Sequence, residues 1–468
     1  DNYLQMRPRE VILFRRCLEH SCKSFSTTST NSPVADYVQD LLKRALIADS
    51  YPSHLLEGND INLKQLPNGV YAGFDPTARS LHVGNLLILL NLFRSSAFDC
   101  QPIAIIGGAT ALVGDPSGRS SERDASRLHE ARENKHLIMK QIQRLWGNAR
   151  HGFLSKSKSE LKCIDNSDWY KEMKLIDFLS LTRSLRIGEM LRTRAIRSRL
   201  EAGAGSSVSF PEFVYQSLQA YDWRMLAEKH NCCFQLGGSD QLGHLDIGAH
   251  YIGRSINKWA AGVCLPLLTD SAGNKIGKST GGAGTWLDGE MTSPFHLYQF
   301  FRQLHDTDAV MMLKRCSLQS TEVIEEIEKK HSSNLGKWIA QDALAEEMTE
   351  IVHGREAVEM AKNASKALFH GSREAVEALP ASLLIDVFGQ PLQLKAEEVR
   401  SYGDLADRTR SDKQKGSVLM KTGAFKVNGE KQLVATQPFS VESTVLANAP
   451  SMTLVCWGKR KFQLIKWI

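Results

Sequence analysis

The sequence predicts an α/β protein in three folded parts: a parallel-sheet domain, an α-helical domain and a small α+β domain at the C-terminal end. Three observations carry this. Short apolar runs bounded by Gly or Pro alternate with amphipathic stretches from about residue 36 to 270, the signature of buried strands between helices. Long helical stretches with few strand signals fill 291–370. The last 75 or so residues alternate apolar and polar positions around turn signals. A length of 468 residues suits two to four domains. With 42% hydrophobic and 24% charged residues, the chain is not mainly disordered, collagenous or coiled-coil.

The elements follow in order. Val70–Gly73, Pro102–Ile106, Cys232–Leu236 and Gly262–Leu268 read as buried strands. Leu81–Phe93, Asp124–Leu145 and Phe213–Glu228 read as helices, and 266–290, rich in Gly, Ser, Thr and Lys, as an exposed loop. Thr321–Lys330 and Leu335–Ile351 are helical, Gly371–Leu394 reads as a linker, and Val427-Asn428-Gly429 marks a hairpin turn. Apolar runs such as Leu86–Leu90 and Ile103–Ile106 fall far short of the ~20 residues that cross a bilayer. Nine cysteines, an odd number with no C-x-x-C pair, read as reduced thiols with no zinc site.

Charge is unevenly placed. The net +6 comes from 58 basic and 52 acidic residues, yet residues 395–468 alone hold 13 Lys/Arg against 7 Asp/Glu. Residues 1–35 hold 5 against 3, which leaves the body near neutral. A neutral body with a basic end suggests chemistry in one part and a polyanion met by the other. Residues 6–31 are Arg-rich, Ser-rich and amphipathic, the pattern of a mitochondrial transit peptide, with Met6 as the expected start.

Five strings carry candidate chemistry. The first, YAGFDPTARSLHVGN over Tyr71–Asn85, reads as a strand ending at Gly73, a turn at Asp75-Pro76 and a helix starting near His82. A helix start offers free N–H groups and partial positive charge to a phosphate, and Gly84 lets a flat base approach the backbone. Thr77 and His82 could donate to a terminal phosphate; on its own, His82 reads as structural more often than not. The second, GGATALVGDPSG over Gly107–Gly118, places Asp115 either in an ordinary turn or where it could pair with an ammonium. In the third, SFPEFVYQSLQAYD over Ser209–Asp222, Tyr215, Gln219 and Asp222 share one helix face, as a pocket lining or a solvated stripe. The fourth, GGSDQ over Gly237–Gln241, could bind a ribose diol through Asp240 and a carboxyl group through Gln241, or could be a plain strand-to-helix turn. The fifth, NKIGKS over Asn274–Ser279, puts two lysines three apart on a Gly-rich loop that could close over a triphosphate.

Taken together, the five strings resemble a class I aminoacyl-tRNA synthetase, and specifically the bacterial-type tyrosyl-tRNA synthetases of mitochondria. The segment His82–Asn85 resembles the family's first signature and Lys275–Ser279 its second, with the other strings between them in the family's order. The tail from Ser411 to Lys431 resembles an S4-type RNA-binding module.

The resemblance implies a Rossmann-like catalytic domain over 36–270, a mobile lysine-signature loop over 271–290 and a helical anticodon-binding-type domain over 291–380. An S4-like domain would occupy 390–468, and a transit segment 1–35 would direct the chain to the mitochondrial matrix. It implies ATP with magnesium as substrate, L-tyrosine and tRNA(Tyr) as partners, a homodimer, and neither a tightly bound metal nor a membrane. By position, Tyr71 and Asp222 would bind the phenolic hydroxyl. Asp115, Tyr215 and Gln219 would hold the ammonium and Gln241 the carboxyl end, with Asp75 in the same tyrosine-binding set. Gly73, Gly84 and Asn85 would lie on the ATP side, Asp240 and Gly237 at its ribose, and Thr77 and His82 at its γ-phosphate. Lys275, Lys278 and Ser279 would grip the departing pyrophosphate.

Three positions depart from the family pattern. Asn85 stands where His is more usual, Ala72 where a polar residue often sits, and Leu242 where Trp usually follows Asp-Gln. None removes a group on which the chemistry depends. A tryptophanyl relative fits Tyr71, Asp222 and the Gly-Ser-Asp-Gln string poorly. An RNA-binding protein that kept the fold and lost catalysis, such as a splicing cofactor, fits poorly with an intact His82, Lys275, Lys278 and Asp240.

Overall fold

The computed structural model describes residues 32–56, 61–117, 126–201, 208–269, 285–370, 373–388, 390–410, 416–458 and 461–468. Lys275, Lys278 and Ser279, nearly all of the transit-like segment, and residues 411–415 of the basic tail lie outside them. The chain divides into two compact units. The first comprises the residues up to Asp288 with Arg302–Val352, and the second Gly289–Phe301 with His353–Ile468.

The first unit is built on a six-stranded sheet in the order β1-β6-β5-β2-β3-β4. Its strands are β1 Asp49–Tyr51, β2 Gly69–Phe74, β3 Gln101–Ile106, β4 Lys162–Asp165, β5 Phe234–Gly238 and β6 Ala261–Leu265. The five strands from β6 to β4 are parallel, and β1 adds an antiparallel edge. Parallel strands are covered on both faces, which is why β3 and β6 read as unbroken apolar runs. Helix α1 spans Pro33–Lys43, α2 Val83–Ser95, α3 Ser126–Gly152, α4 Phe210–Lys229 and α5 Leu242–Ile256. Leu86, Leu89, Leu90, Leu92 and Phe93 of α2 are wholly buried, and each such side chain contributes about 1.5–3 kcal/mol.

Helix α4 starts where its sequence directs. Pro211 occupies the first turn, the Ser209 N–H donates to Glu212 Oε2 at 3.2 Å, and buried Arg199 pairs with Glu212 at 3.3 Å. The chain runs from β2 outward through β3 and β4, then returns to place β5 on the other side of β2. That reversal opens a crevice outside the carboxyl ends of β2 and β5, the expected ligand site of such a sheet.

The helices over 306–352 belong to this unit. Arg44 donates to the carbonyls of Lys314, Ser317 and Gln319, and Arg94 to those of Arg315 and Ser317. Buried Glu347 accepts from the Ser317 hydroxyl and the Leu318 N–H, both at 2.6 Å. Burial pushes its carboxyl up to about 7.

The second unit carries a five-stranded sheet in the order β7-β11-β10-β8-β9. Its strands are β7 Leu392–Leu394, β8 Phe425–Val427, β9 Glu430–Lys431, β10 Met452–Trp457 and β11 Lys461–Trp467. The β8–β9 hairpin turns through Asn428 and Gly429, at φ 47 and 88, the paired positive φ of a two-residue hairpin. Asn428 also donates to Thr444 O at 2.6 Å and accepts from the Leu454 N–H at 2.8 Å. The stretch expected as a linker is helical instead, at Arg373–Glu377 and Ala381–Phe388. Its Val376, Leu379 and Leu384 share a core with Leu446, Leu454 and Leu464, so burial overrides the turn signals.

Candidate active site

Of the predicted site residues that the structure describes, Asp75, Asp115, Tyr215, Gln219, Asp222 and Gln241 join two hydrogen-bonded clusters, and they come from the turn after β2, the loop after β3, helix α4 and the turn after β5. Tyr71 lies on β2 directly beside Gln235 on β5. That register puts both side chains on one face, and the Tyr71 hydroxyl donates to Gln235 Oε1 at 2.8 Å. Its ring packs against Trp223, centroids 5.7 Å apart, and burial raises the phenol well above its usual pKa.

Beyond β2 and β3 the chain forms a polar cluster. Asp75 accepts from the Thr110 hydroxyl at 2.9 Å and from the Tyr215 hydroxyl at 3.0 Å. Asn166, just past β4, donates to Thr110 Oγ1 and to Asp222 Oδ2, both at 3.0 Å. Asp222 accepts from Trp169 Nε1 at 2.8 Å and from the Tyr170 hydroxyl at 2.7 Å. Two carboxylates are thus linked through Thr110 and Asn166. Asp222 is 5% exposed, and burial pushes its carboxyl up to about 7 despite three donors that favour the charged form. Gly107 is required by this packing, since a Cβ there would stand 1.8 Å from Asp75 Oδ1.

A second cluster gathers the amides. Asp115 accepts from the Ser117 N–H at 2.8 Å and from Gln241 Nε2 at 3.1 Å. Gln241 also donates to Ser117 Oγ at 2.9 Å and accepts from Gln219 Nε2 at 3.1 Å. Gln219 in turn meets His244 Nδ1 at 2.5 Å. Asp240 is exposed after β5, 3.5 Å from the Ser117 hydroxyl.

The start of α2 is the third part. His82 is the residue before the helix, and Asn85 Oδ1 accepts its N–H at 3.1 Å. Gly84 lies against the His82 ring, where a Cβ would stand 2.8 Å from Cε1. Segment 285–287, which follows the lysine loop, pairs with this start. The Val83 N–H donates to Thr285 O and the Leu287 N–H to Leu81 O, both at 2.9 Å. The Trp286 ring sits 6.1 Å from that of His82. Gly73 near the end of β2 and Thr77 just past it are exposed, and Gly237 is buried at the end of β5.

Residues 63–370 match the family model of class I tRNA synthetases (W and Y). The mitochondrial tyrosine–tRNA ligase of Drosophila melanogaster is 37% identical over 85% of this chain and 87% of its own. The human mitochondrial enzyme is 35% identical over 91% and 90%. This chain belongs to the tyrosyl-tRNA synthetase family. Among solved structures, the C-terminally truncated mitochondrial tyrosyl-tRNA synthetase of Aspergillus nidulans matches with TM-score 0.62 and 28% identity, over 77% of this chain and all of that one. The class I synthetase fold, an α/β body with a parallel sheet, is the one the sequence predicts.

Sequence reasoning missed part of this synthetase's crevice. Thr110 lies inside the Gly107–Gly118 string with no sequence signal for a role, and Asn166, Trp169, Tyr170, Gln235 and His244 fall outside the five strings. Gln235 had a usable signal, a lone amide inside an otherwise apolar strand. His244 had another, lying one turn past Gln241 on α5. Asn166 had none, because β4 is a four-residue strand without a clear apolar run.

Proposed function

We propose that this synthetase activates L-tyrosine with ATP and passes it to tRNA(Tyr) in the mitochondrial matrix. The observation that carries the reading is the buried Asp222 carboxylate on the stripe with Tyr215 and Gln219. A buried carboxylate suits a substrate that brings its own hydroxyl. Tyr71 and Asp222 would receive the phenol, Asp75, Asp115, Tyr215 and Gln219 the ammonium, and Gln241 the carboxyl end. Phenylalanine in that pocket would leave buried polar groups unpaired, and tyrosyl-tRNA synthetases are themselves the standing example of such discrimination without editing.

The chemistry needs no protein nucleophile. A carboxylate oxygen of tyrosine attacks the α-phosphorus of ATP, the bond to the bridging β-oxygen breaks, and pyrophosphate leaves with the electron pair. The terminal ribose hydroxyl of the tRNA then displaces AMP from the adenylate. Positioning and charge stabilisation supply the rate. Thr77 and His82 at the start of α2 would meet the γ-phosphate, with Lys275, Lys278 and Ser279 closing from the loop. Gly73, Gly84 and Asn85 would line the adenine side, and Gly237 and Asp240 would take the ribose. Magnesium would arrive with the ATP phosphates. A homodimeric state is supported by Leu175, Ile176, Ile187 and Phe210, large apolar side chains each more than 65% exposed. ATP–pyrophosphate exchange with each amino acid in turn tests the reading. Exchange with tyrosine alone is expected, and exchange with tryptophan, or with none, overturns it.

A further inference from the structure

We infer that His244 is a positioning residue for amino-acid binding, which fixes the orientation of the Gln219 and Gln241 amides that face the substrate. The inference rests on the tyrosine-site reading above. It begins at the carboxylate end of the amide cluster. Asp115 can only accept, so the group turned toward its Oδ2 at 3.1 Å must be the Gln241 Nε2 donor. Gln241 Oε1 then faces Gln219, which must present Nε2, at 3.1 Å. Gln219 Oε1 is left facing His244 Nδ1 at 2.5 Å. Two acceptors cannot share that gap, so Nδ1 carries the hydrogen. The direction of every bond in the series follows from its two ends: an acceptor at Asp115 and a donor at His244.

The ring is placed for this and for little else. His244 is 2% exposed, and its Nε2 has no hydrogen-bond partner among the described residues. Its centroid lies 5.7 Å from that of Tyr215, whose hydroxyl is held by Asp75. One side chain therefore braces two of the three polar residues on the α4 stripe. Without a donor at this point, Gln219 would keep a half-buried, unpaired carbonyl oxygen or flip, and a flip would set Nε2 away from Gln241. Both amides would then lose the arrangement in which Gln241 Nε2 sits between Asp115 and Ser117.

The test compares His244→Asn with His244→Leu in tyrosine-dependent ATP–pyrophosphate exchange on the full chain. Asparagine can carry an N–H donor close to the position of Nδ1 but loses most of the ring, whereas leucine keeps more of the volume and has no donor. The expected result is a KM for tyrosine raised about tenfold in His244→Leu, with kcat and the KM for ATP within about threefold of wild type and near-wild-type values in His244→Asn. A packing role gives the opposite order, with leucine the milder change, and that order overturns the inference. Wild-type kinetics in both variants overturn it as well. If His244→Leu fails to fold, His244→Asp replaces it, because Asp is isosteric with Asn and presents an acceptor; equal behaviour of Asn and Asp overturns the inference. Absence of tyrosine-dependent exchange in the wild-type chain would instead overturn the function on which the inference rests.

Discussion

At the residue scale the crevice depends on two carboxylates that are held differently. Asp222 is enclosed by Asn166, Trp169 and Tyr170, all donating, in a place where water cannot share the charge. Replacing Asp222 with Asn removes the charge and sets an amide N–H against one of those donors. Tyrosine activation should weaken by about 2–3 kcal/mol, the scale of a lost charged hydrogen bond, while the KM for ATP stays nearly unchanged; equal losses in both count against the pocket assignment. The pH dependence of stability has a definite sign. Below about pH 4 the Asp222 carboxyl is protonated folded or unfolded. Above that the unfolded chain ionises first, while burial keeps the native proton until about 7, so stability falls as pH rises across that window. Glu347, also raised to about 7 by burial, contributes with the same sign. Thermal melts of Asp222→Asn from pH 4 to 8 should show a shallower fall than wild type. Asp75 is held by geometry. A Cβ in Gly107→Ala would overlap Asp75 Oδ1 and stand 2.5 Å from Thr110 Oγ1. That change should cost about a hundredfold in tyrosine-dependent exchange with the circular dichroism of the fold retained.

At the element scale the start of α2 is more than a helix end. It is flanked by segment 285–287, whose backbone pairs with residues 81–83 and whose Trp286 packs on His82. The lysine loop therefore re-enters the described structure beside the residue expected at the γ-phosphate. Trp286→Ala removes an aromatic contact worth about 1 kcal/mol. It should slow adenylate formation about fivefold in stopped-flow fluorescence with little change in tyrosine affinity; an unchanged rate would separate the pairing from the chemistry. The contrast between β2 and β4 explains what sequence could reveal. β2 is apolar, centrally placed and followed by an unusual string, so its strand, its turn and the start of α2 were all legible. β4 is a short edge strand followed by Asn166, a residue type common in any turn. The Tyr215–Gln219–Asp222 stripe was legible because spacing puts it on one face of a helix. The partners that complete it, Thr110, Asn166 with Tyr170, and His244, come from three separate segments that only the tertiary fold brings together.

At the scale of the whole molecule the two compact units bear on where the basic tail can be removed. A boundary near residue 390, as the sequence suggests for an S4-like domain, passes through a shared core. Ala364, Leu368, Val376, Leu379 and Leu384 on one side pack with Leu446, Leu454 and Leu464 on the other. Deleting 395–468 should therefore expose an apolar face and raise binding of a hydrophobic dye such as ANS, while tyrosine-dependent exchange continues. Deleting 353–468, which removes the rest of that core apart from Phe295 on the retained 289–301 segment, should bind less dye than the shorter deletion and keep the same exchange activity. Both deletions remove the region where 13 basic residues face 7 acidic ones, so charging of tRNA should fall in both, and its dependence on salt should flatten as phosphate contacts are lost. Equal dye binding by the two truncations would place the boundary at 390 after all. Loss of exchange in the longer deletion would show that the second unit supports the fold of the first and does not serve RNA alone.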